Sequence, residues 1–259
     1  MLYFSPLEQF EIFFISHVEI LFGIKLFITN YLLEMVCISL FTVVFFLAAS
    51  NFVNGFLIPN VYLFSLESLY NFIYSIILQQ VGAKAKDYFP ILMTLFVSIL
   101  VFNVFGLFPF GFTLTSHLMT TFSLSFMFFT GLTILGFERH GLKFLNLFVP
   151  KDVPVALVPF LVVIEFVSYL SRMFSLAIRL FANMTSGHAL LFILTSFYVK
   201  GNIAFINGSV SFFDFLPLIP LVLVILIFFL EVGIAFLQAY VFAVLVSIYL
   251  NDSFSEPGH

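Results

Sequence analysis

Charge is scarce in this chain. Only 8% of its 259 residues are Asp, Glu, Lys or Arg, against roughly 25% in soluble domains. A soluble fold needs more polar cover than that. Nine basic residues against thirteen acidic ones give a net charge of −4. No basic patch stands out, which argues against nucleic-acid binding. Cys37 is the single cysteine. An internal disulfide and a CxxC metal or redox site are therefore excluded. Its apolar surroundings give Cys37 a packing role. There is no tryptophan. GxSxG, HExxH and paired aspartates are also absent, so nothing supports an intramembrane hydrolase. Asp87, Asp152, Asp214 and Asp252 fall in loops or at helix ends. Without a Gly-rich phosphate loop, the chain is not expected to bind ATP directly. No internal or inverted repeat is visible, unlike many ion-coupled transporters.

What is abundant is apolar surface. Hydrophobic residues make up 63% of the chain, and the mean hydropathy is +1.21. Disorder is incompatible with that composition. The length suits one polytopic membrane domain of five or six helices, at about 20 residues each. The 42 Phe residues suit lipid contact, and their excess points weakly to the codon bias of an AT-rich organelle genome. The first 25 residues carry Glu8, Glu11 and Glu19. That is not the pattern of a signal or transit peptide.

The first span is expected over 27–52, ended by Asn54, Gly55 and Pro59. Over 60–87, Tyr62, Leu66, Leu69, Phe72, Ile73, Ile76 and Ile77 recur at helical spacing, with Glu67, Ser68, Asn71, Gln79 and Lys84 between them. That pattern predicts an amphipathic helix at the interface or against neighbours. A helical hairpin is expected over 90–137, turning near Pro109 and Gly111. The apolar segments 155–199 and 215–250 are too long for upright spans and must tilt or kink. Lys84, Lys86, Arg139, Lys143 and Lys151 fall in loops on one side by helix counting. The positive-inside rule puts that side and the C-terminus inside, and the N-terminus outside.

An ionisable group inside an apolar helix costs several kcal/mol and points to function. The last two segments hold Glu165, Arg172, Arg179, His188 and Glu231, with Gln238 as an added amide. Residues 165, 172 and 179 share one helical face. Ser175 and Asn183 lie four residues either side of Arg179. Along a helix, Arg179 to His188 is about 13.5 Å, and Glu165 to Arg179 about 21 Å. Glu231 and Gln238 are about 10.5 Å apart on one face of the last segment. If Gln238 is level with Arg179, Glu231 reaches the height of His188 to within about 3 Å. A His–Glu pair there can relay protons.

The stretch Ser171–His188, SRMFSLAIRLFANMTSGH, resembles subunit a of F-type ATP synthases, and the mitochondrial form above all. Glu231 through Gln238–Ala239–Tyr240–Val241–Phe242 to Tyr249–Leu250, Asn103–Pro109 and Pro6–Ile12 extend the likeness over nearly the whole chain. The resemblance implies an all-α membrane protein of about five transmembrane helices plus one amphipathic interfacial helix. The last two helices would be long and strongly tilted beside a ring of c subunits. Protons would reach the ring's buried carboxylates through two offset aqueous half-channels. Arg179 would be the essential charge facing those carboxylates. The outer half-channel would use His188, Glu231 and Gln238, with Asn103 and His117. The inner one would use Glu165, Ser175, Asn183 and Tyr249. His188 and Glu231 exchange places relative to the bacterial pattern and are similar to mitochondrial members, with the pair's charge conserved. Implied partners are the c-ring, peripheral-stalk and other Fo subunits, and lipid. No cofactor is implied, and the proton is the transported ion. The chain would be non-catalytic, in the mitochondrial inner membrane.

Plainer roles stand beside these. Arg179 could pair structurally with Glu165, and Arg172 could serve packing alone or form an ion pair with Glu165. His188 and Glu231 could be a satisfied pair without proton traffic. Asn103 could make an interhelical hydrogen bond, and His117 could belong to a helix cap beside Ser116. Gly187 and Ala182 suit close helix approach. Glu138 and His140 lie in a loop and receive no chemistry. The competing functions are an ion-coupled secondary transporter, a proton-pumping subunit of a respiratory complex and a haem cytochrome. Every Lys lies near a helix end or in a loop, unlike such pumps, and only His117 and His188 could be axial haem ligands.

Overall fold

The computed structural model describes residues 8–20, 24–53, 61–108, 113–148, 157–206 and 218–254. Pro6, Leu7, Asn54, Gly55, Pro59, Pro109, Gly111, Lys151, Asp152 and Asp214 lie outside the described residues. Strands β1 (Phe14–Ile20) and β2 (Ile24–Thr29) are followed by helices α1 (Asn30–Val53), α2 (Val61–Gln80), α3 (Phe89–Gly106), α4 (Leu118–His140), α5 (Val158–Ile206) and α6 (Leu218–Phe254). Short 3-10 turns flank several of them. Among the described residues, five helices, all but α2, are long and apolar enough to cross a membrane. The fold is thus an all-α membrane fold with a small hairpin before it.

That hairpin was not legible in the apolar pattern. α1 begins at Asn30 rather than at residue 27, because residues 24–29 pair antiparallel with β1. The junction is chemically specific. Thr29 Oγ1 accepts from the Leu32 amide at 3.3 Å, satisfying one of the donors that a helix start leaves open. Asn30 Oδ1 accepts from the Tyr31 amide at 2.9 Å and from the Phe13 amide at 3.0 Å. Asn30 Nδ2 donates to Glu11 O at 3.3 Å. One side chain therefore ties the hairpin to the head of the span.

α2 is amphipathic as its spacing predicts. Ile73, Ile76 and Ile77 are buried, at the i, i+3, i+4 positions of one stripe. Glu67, Ser68, Asn71 and Gln79 are exposed. Phe72 meets Phe96 of α3 at 6.2 Å and Tyr240 of α6 at 5.8 Å, so neighbouring helices cover part of this helix. α5, with 49 residues, is about 74 Å long at 1.5 Å per residue. The hydrocarbon layer is about 30 Å. An upright α5 cannot stay inside it, which is the physical basis of the expected tilt.

The chain falls into two compact units. The first comprises Met1–Leu40, Leu100–His117 and Leu180–Gln238, and the second Phe41–Ile99, Leu118–Arg179 and Ala239–His259. In the first unit, Ile38 and Leu114 form a core with Tyr31, Val101, Phe102 and Phe105 packed around it. In the second, Phe96 and Phe242 are fully buried. There the Arg139 guanidinium lies 3.9 Å over the Phe254 ring and fixes the end of α6.

Asn30→Ala removes two accepted hydrogen bonds and one donated one. Each such bond is worth about 1 kcal/mol. Amide hydrogen exchange at Phe13 and Tyr31 is expected to rise about tenfold, while α3 exchange stays unchanged. Unchanged exchange at Phe13 would show that the hairpin is held by something else.

Candidate functional site

The first unit gathers amides and ionisable groups in an apolar setting. Asn103 and Gln238 are 0% and 1% exposed, and Glu231 is 5% exposed. Asn103 Nδ2, on α3, donates to the Ala235 carbonyl of α6 at 3.3 Å. A helix carbonyl has a second lone pair for such a bond, and the side chain of Ala235, itself fully buried, is small enough for the approach. Asn183 Nδ2, on α5, donates to Gln238 Oε1 at 3.2 Å. Thr185 Oγ1 donates to the Ser116 carbonyl at 3.3 Å. These bonds link α3 to α6, α5 to α6, and α5 to the turn before α4, and a fourth approach joins them.

The fourth is Glu231 against Gly187. A Cβ added at Gly187 would lie 3.0 Å from Glu231 Cδ and 3.2 Å from Cγ. The missing side chain of Gly187 is what lets the carboxylate reach the backbone of α5, next to His188. Both Glu231 oxygens, His188 Nε2, Gln238 Nε2 and Asn103 Oδ1 are buried without a hydrogen-bond partner among the described residues. Such atoms are costly in a dry interior. His117 immediately precedes α4. Its ring meets Tyr31 edge-on at 5.7 Å. Burial pushes the His117 imidazole below its usual range, so it is neutral near pH 7.

The second unit is built differently. Arg172 lies 3.8 Å from Glu165 Oε1 and 3.8 Å from Asp252 Oδ2. Its guanidinium sits 5.6 Å from the centre of the Tyr249 ring. All three charged side chains are 35–43% exposed, so these long pairs add little stability, about 0–1 kcal/mol each. Tyr249 also lines a small cavity with Ser125, Phe128, Met173 and Val246. Ser175 and Arg179 are exposed on α5, as are Phe174 and Ile178. Arg179 has no ion-pair partner among the described residues, whereas Arg172 has two.

Residues 32–251 match the sequence model of the family described as ATP synthase A chain. The ATP synthase subunit a of Emericella nidulans is 45% identical over 251 residues, covering 96% of this chain and 95% of that one. Subunit a of Chondrus crispus is 43% identical over 248 residues, covering 96% and 95%. Subunit a of Pelagibacter ubique is 40% identical over 249 residues, covering 96% and 97%. The chain belongs to the ATP synthase subunit a family. Subunit a is the proton-translocating subunit of Fo, so the chain is a component of a larger complex.

For a subunit a, the two clusters sort the sequence-derived residues informatively. Asn103, His117, His188, Glu231 and Gln238 fall together in the first unit, and Glu165, Ser175, Arg179 and Tyr249 in the second. Asn183 falls with Gln238 rather than with Glu165. Sequence reasoning passed over Asp252, as a helix-end residue, and the carboxylate-admitting role of Gly187. The signal for Asp252 was its three-residue offset from Tyr249 on α6, one turn along the same face. No group of three His, Cys, Asp or Glu able to hold a metal occurs among the described residues.

Gly187→Ala is expected to leave assembly intact, because the clashing group is the end of a flexible side chain. The Glu231 carboxylate must move, and a displacement of about 1 Å can cost up to a hundredfold in rate. ATP-driven proton pumping by the assembled complex, checked on native gels, should fall about tenfold or more. Full pumping would separate Glu231 from the transport step.

Proposed function

We propose that this chain carries protons to and from a ring of c subunits through two half-channels, one in each unit. The observation that carries this reading is the contrast between its two arginines. Arg172 faces carboxylates of its own chain. Arg179 is exposed on a membrane-spanning helix with no carboxylate beside it among the described residues. A guanidinium keeps its charge at all working pH values, and a charge at membrane depth needs a counter-charge. The ring carboxylate of a c subunit is that counter-charge.

The chemistry follows from this pairing. At 4 Å and an effective dielectric constant of 20, opposite charges attract by about 4 kcal/mol. That shifts a carboxylic acid's ionisation about a thousandfold toward the charged form. A protonated ring site approaching Arg179 therefore gives up its proton, and the ionised site is held. The same fixed charge repels a proton trying to pass directly between the half-channels. In the outer half-channel, Glu231 with His188 relays a proton past Gln238 and Asn103, with His117 toward the mouth. Asn183, bonded to Gln238, orients that amide. In the inner one, Glu165, Ser175 and Tyr249 receive the released proton, and Asp252 joins them through Arg172. Each proton crossing gains about 2.3 kcal/mol per 100 mV of membrane potential.

The chain itself catalyses no bond-making step and holds no cofactor in this reading. Nucleotide chemistry belongs to partner subunits, and direct contacts are the c-ring, the peripheral stalk, other Fo subunits and lipid. The site is the mitochondrial inner membrane. The loop charges support an N-terminus toward the intermembrane space and a C-terminus toward the matrix.

Two substitutions test the assignment. Arg179→Ala is expected to abolish ATP-driven pumping and to raise the passive proton leak of reconstituted vesicles. Coupled ATP synthesis at the normal rate in that variant would end the proposal. Glu231→Gln should slow proton uptake from the outer face more than release on the inner face. Equal slowing in the two directions would make the His188–Glu231 neighbourhood structural.

A further inference from the structure

The β1–β2 hairpin is absent from the transport scheme, and its near end is unusually apolar. Ile12, Phe13, Phe14, Ile15 and Phe27 are 53–58% exposed. Ile12 and Phe13 lead into β1, whose register with β2 shifts between Phe14 and Ser16, so strict alternation of faces does not hold here. Phe14 and Phe27 meet across the strands, and Ile12, Phe13 and Ile15 lie within two residues of Phe14. So many large exposed apolar side chains at one end of a hairpin suit a surrounding apolar medium.

Depth is set by the junction already described. The Asn30 amide donates to Phe13 O at 3.1 Å, and Asn30 Oδ1 accepts from the Phe13 amide at 3.0 Å. Asn30 is the first residue of the span Asn30–Leu47. Phe13 is therefore pinned at the level where the chain enters the hydrocarbon. Glu11, exposed and next to Ile12, marks the wet side. The hairpin cannot go deeper, because that would carry the exposed Glu11 into the hydrocarbon, where an ionised carboxylate is costly. The headgroup–acyl boundary satisfies both constraints, since aromatic rings favour that depth and backbone groups can still reach water. Phe14 and Phe27 pack edge to face at 5.6 Å across the strands, which makes one compact wedge.

We infer that this hairpin is a lipid-interface anchor, with Ile12–Ile15 and Phe27 inserted at the headgroup–acyl boundary beside the head of α1. The inference needs α1 to span the membrane but does not depend on the path of the protons. It makes the hairpin a lipid-binding element that holds α1 at fixed depth.

Nitroxide labels at Phe14→Cys and, separately, Ile12→Cys test it, each in a Cys37→Ser background. The labelled complex is assembled and reconstituted into phosphatidylcholine–cardiolipin vesicles. The Cys37→Ser complex alone supplies the background signal. Collision with oxygen, which concentrates in lipid, is expected to exceed collision with a water-soluble nickel chelate several-fold at both positions. Chelate collisions dominating at either position would place the hairpin in water and overturn the anchor. Weak collisions with both agents would mean a protein partner covers it, which overturns it equally. If one variant fails to assemble, the other alone decides between these outcomes.

Discussion

A polar or charged side chain inside hydrocarbon must find a partner or water, and the rest of this structure is organised around that requirement. The protein meets it in three ways. Asn103, Asn183 and Thr185 bond to neighbouring helices. Arg172 gathers two carboxylates of its own chain. Glu231 and His188 keep buried polar atoms without a protein partner among the described residues, and Arg179 is left exposed on α5. The first two solutions build the scaffold. The third leaves the groups that the proposed proton transport would use.

Energetics separates scaffold from function in the same way. Interhelical hydrogen bonds in membranes are worth about 0.6–2 kcal/mol each. The long Arg172 pairs are worth less. Neither justifies placing several ionisable groups in two apolar helices, given that each costs several kcal/mol there. Helix packing alone would have used Leu and Ala. The investment makes sense when the groups bind and release protons in sequence.

Much of this was legible in the sequence because membranes impose few solutions. Long apolar runs gave the spans, and the alternation of Ile73, Ile76 and Ile77 with polar residues gave the amphipathic α2. The heptad spacing of Glu165 and Arg172 placed them on one face of α5, where they meet. Three features were hidden for definite reasons. The hairpin escaped because residues 24–29 are as apolar as a span, and only cross-strand pairing with β1 decides their state. The bond from Asn183 to Gln238 escaped because a face on one helix does not say which neighbour the amide will meet. Asp252 escaped because its importance comes from Arg172, eighty residues earlier. Gly187 was read as a packing glycine, and packing is indeed its means. What it admits is a carboxylate.

The central claim is that the two polar clusters are hydrated from opposite faces of the membrane. Silver ions, which react with thiols only where water reaches, test it directly. Asn103→Cys and Tyr249→Cys are placed one at a time in the assembled Cys37→Ser complex, in vesicles of known orientation. The account expects silver to block proton transport through the Asn103→Cys variant only from the side facing the N-terminus. The Tyr249→Cys variant should be blocked only from the opposite side. Blocking of both from the same face, or of neither from any face, would contradict two half-channels.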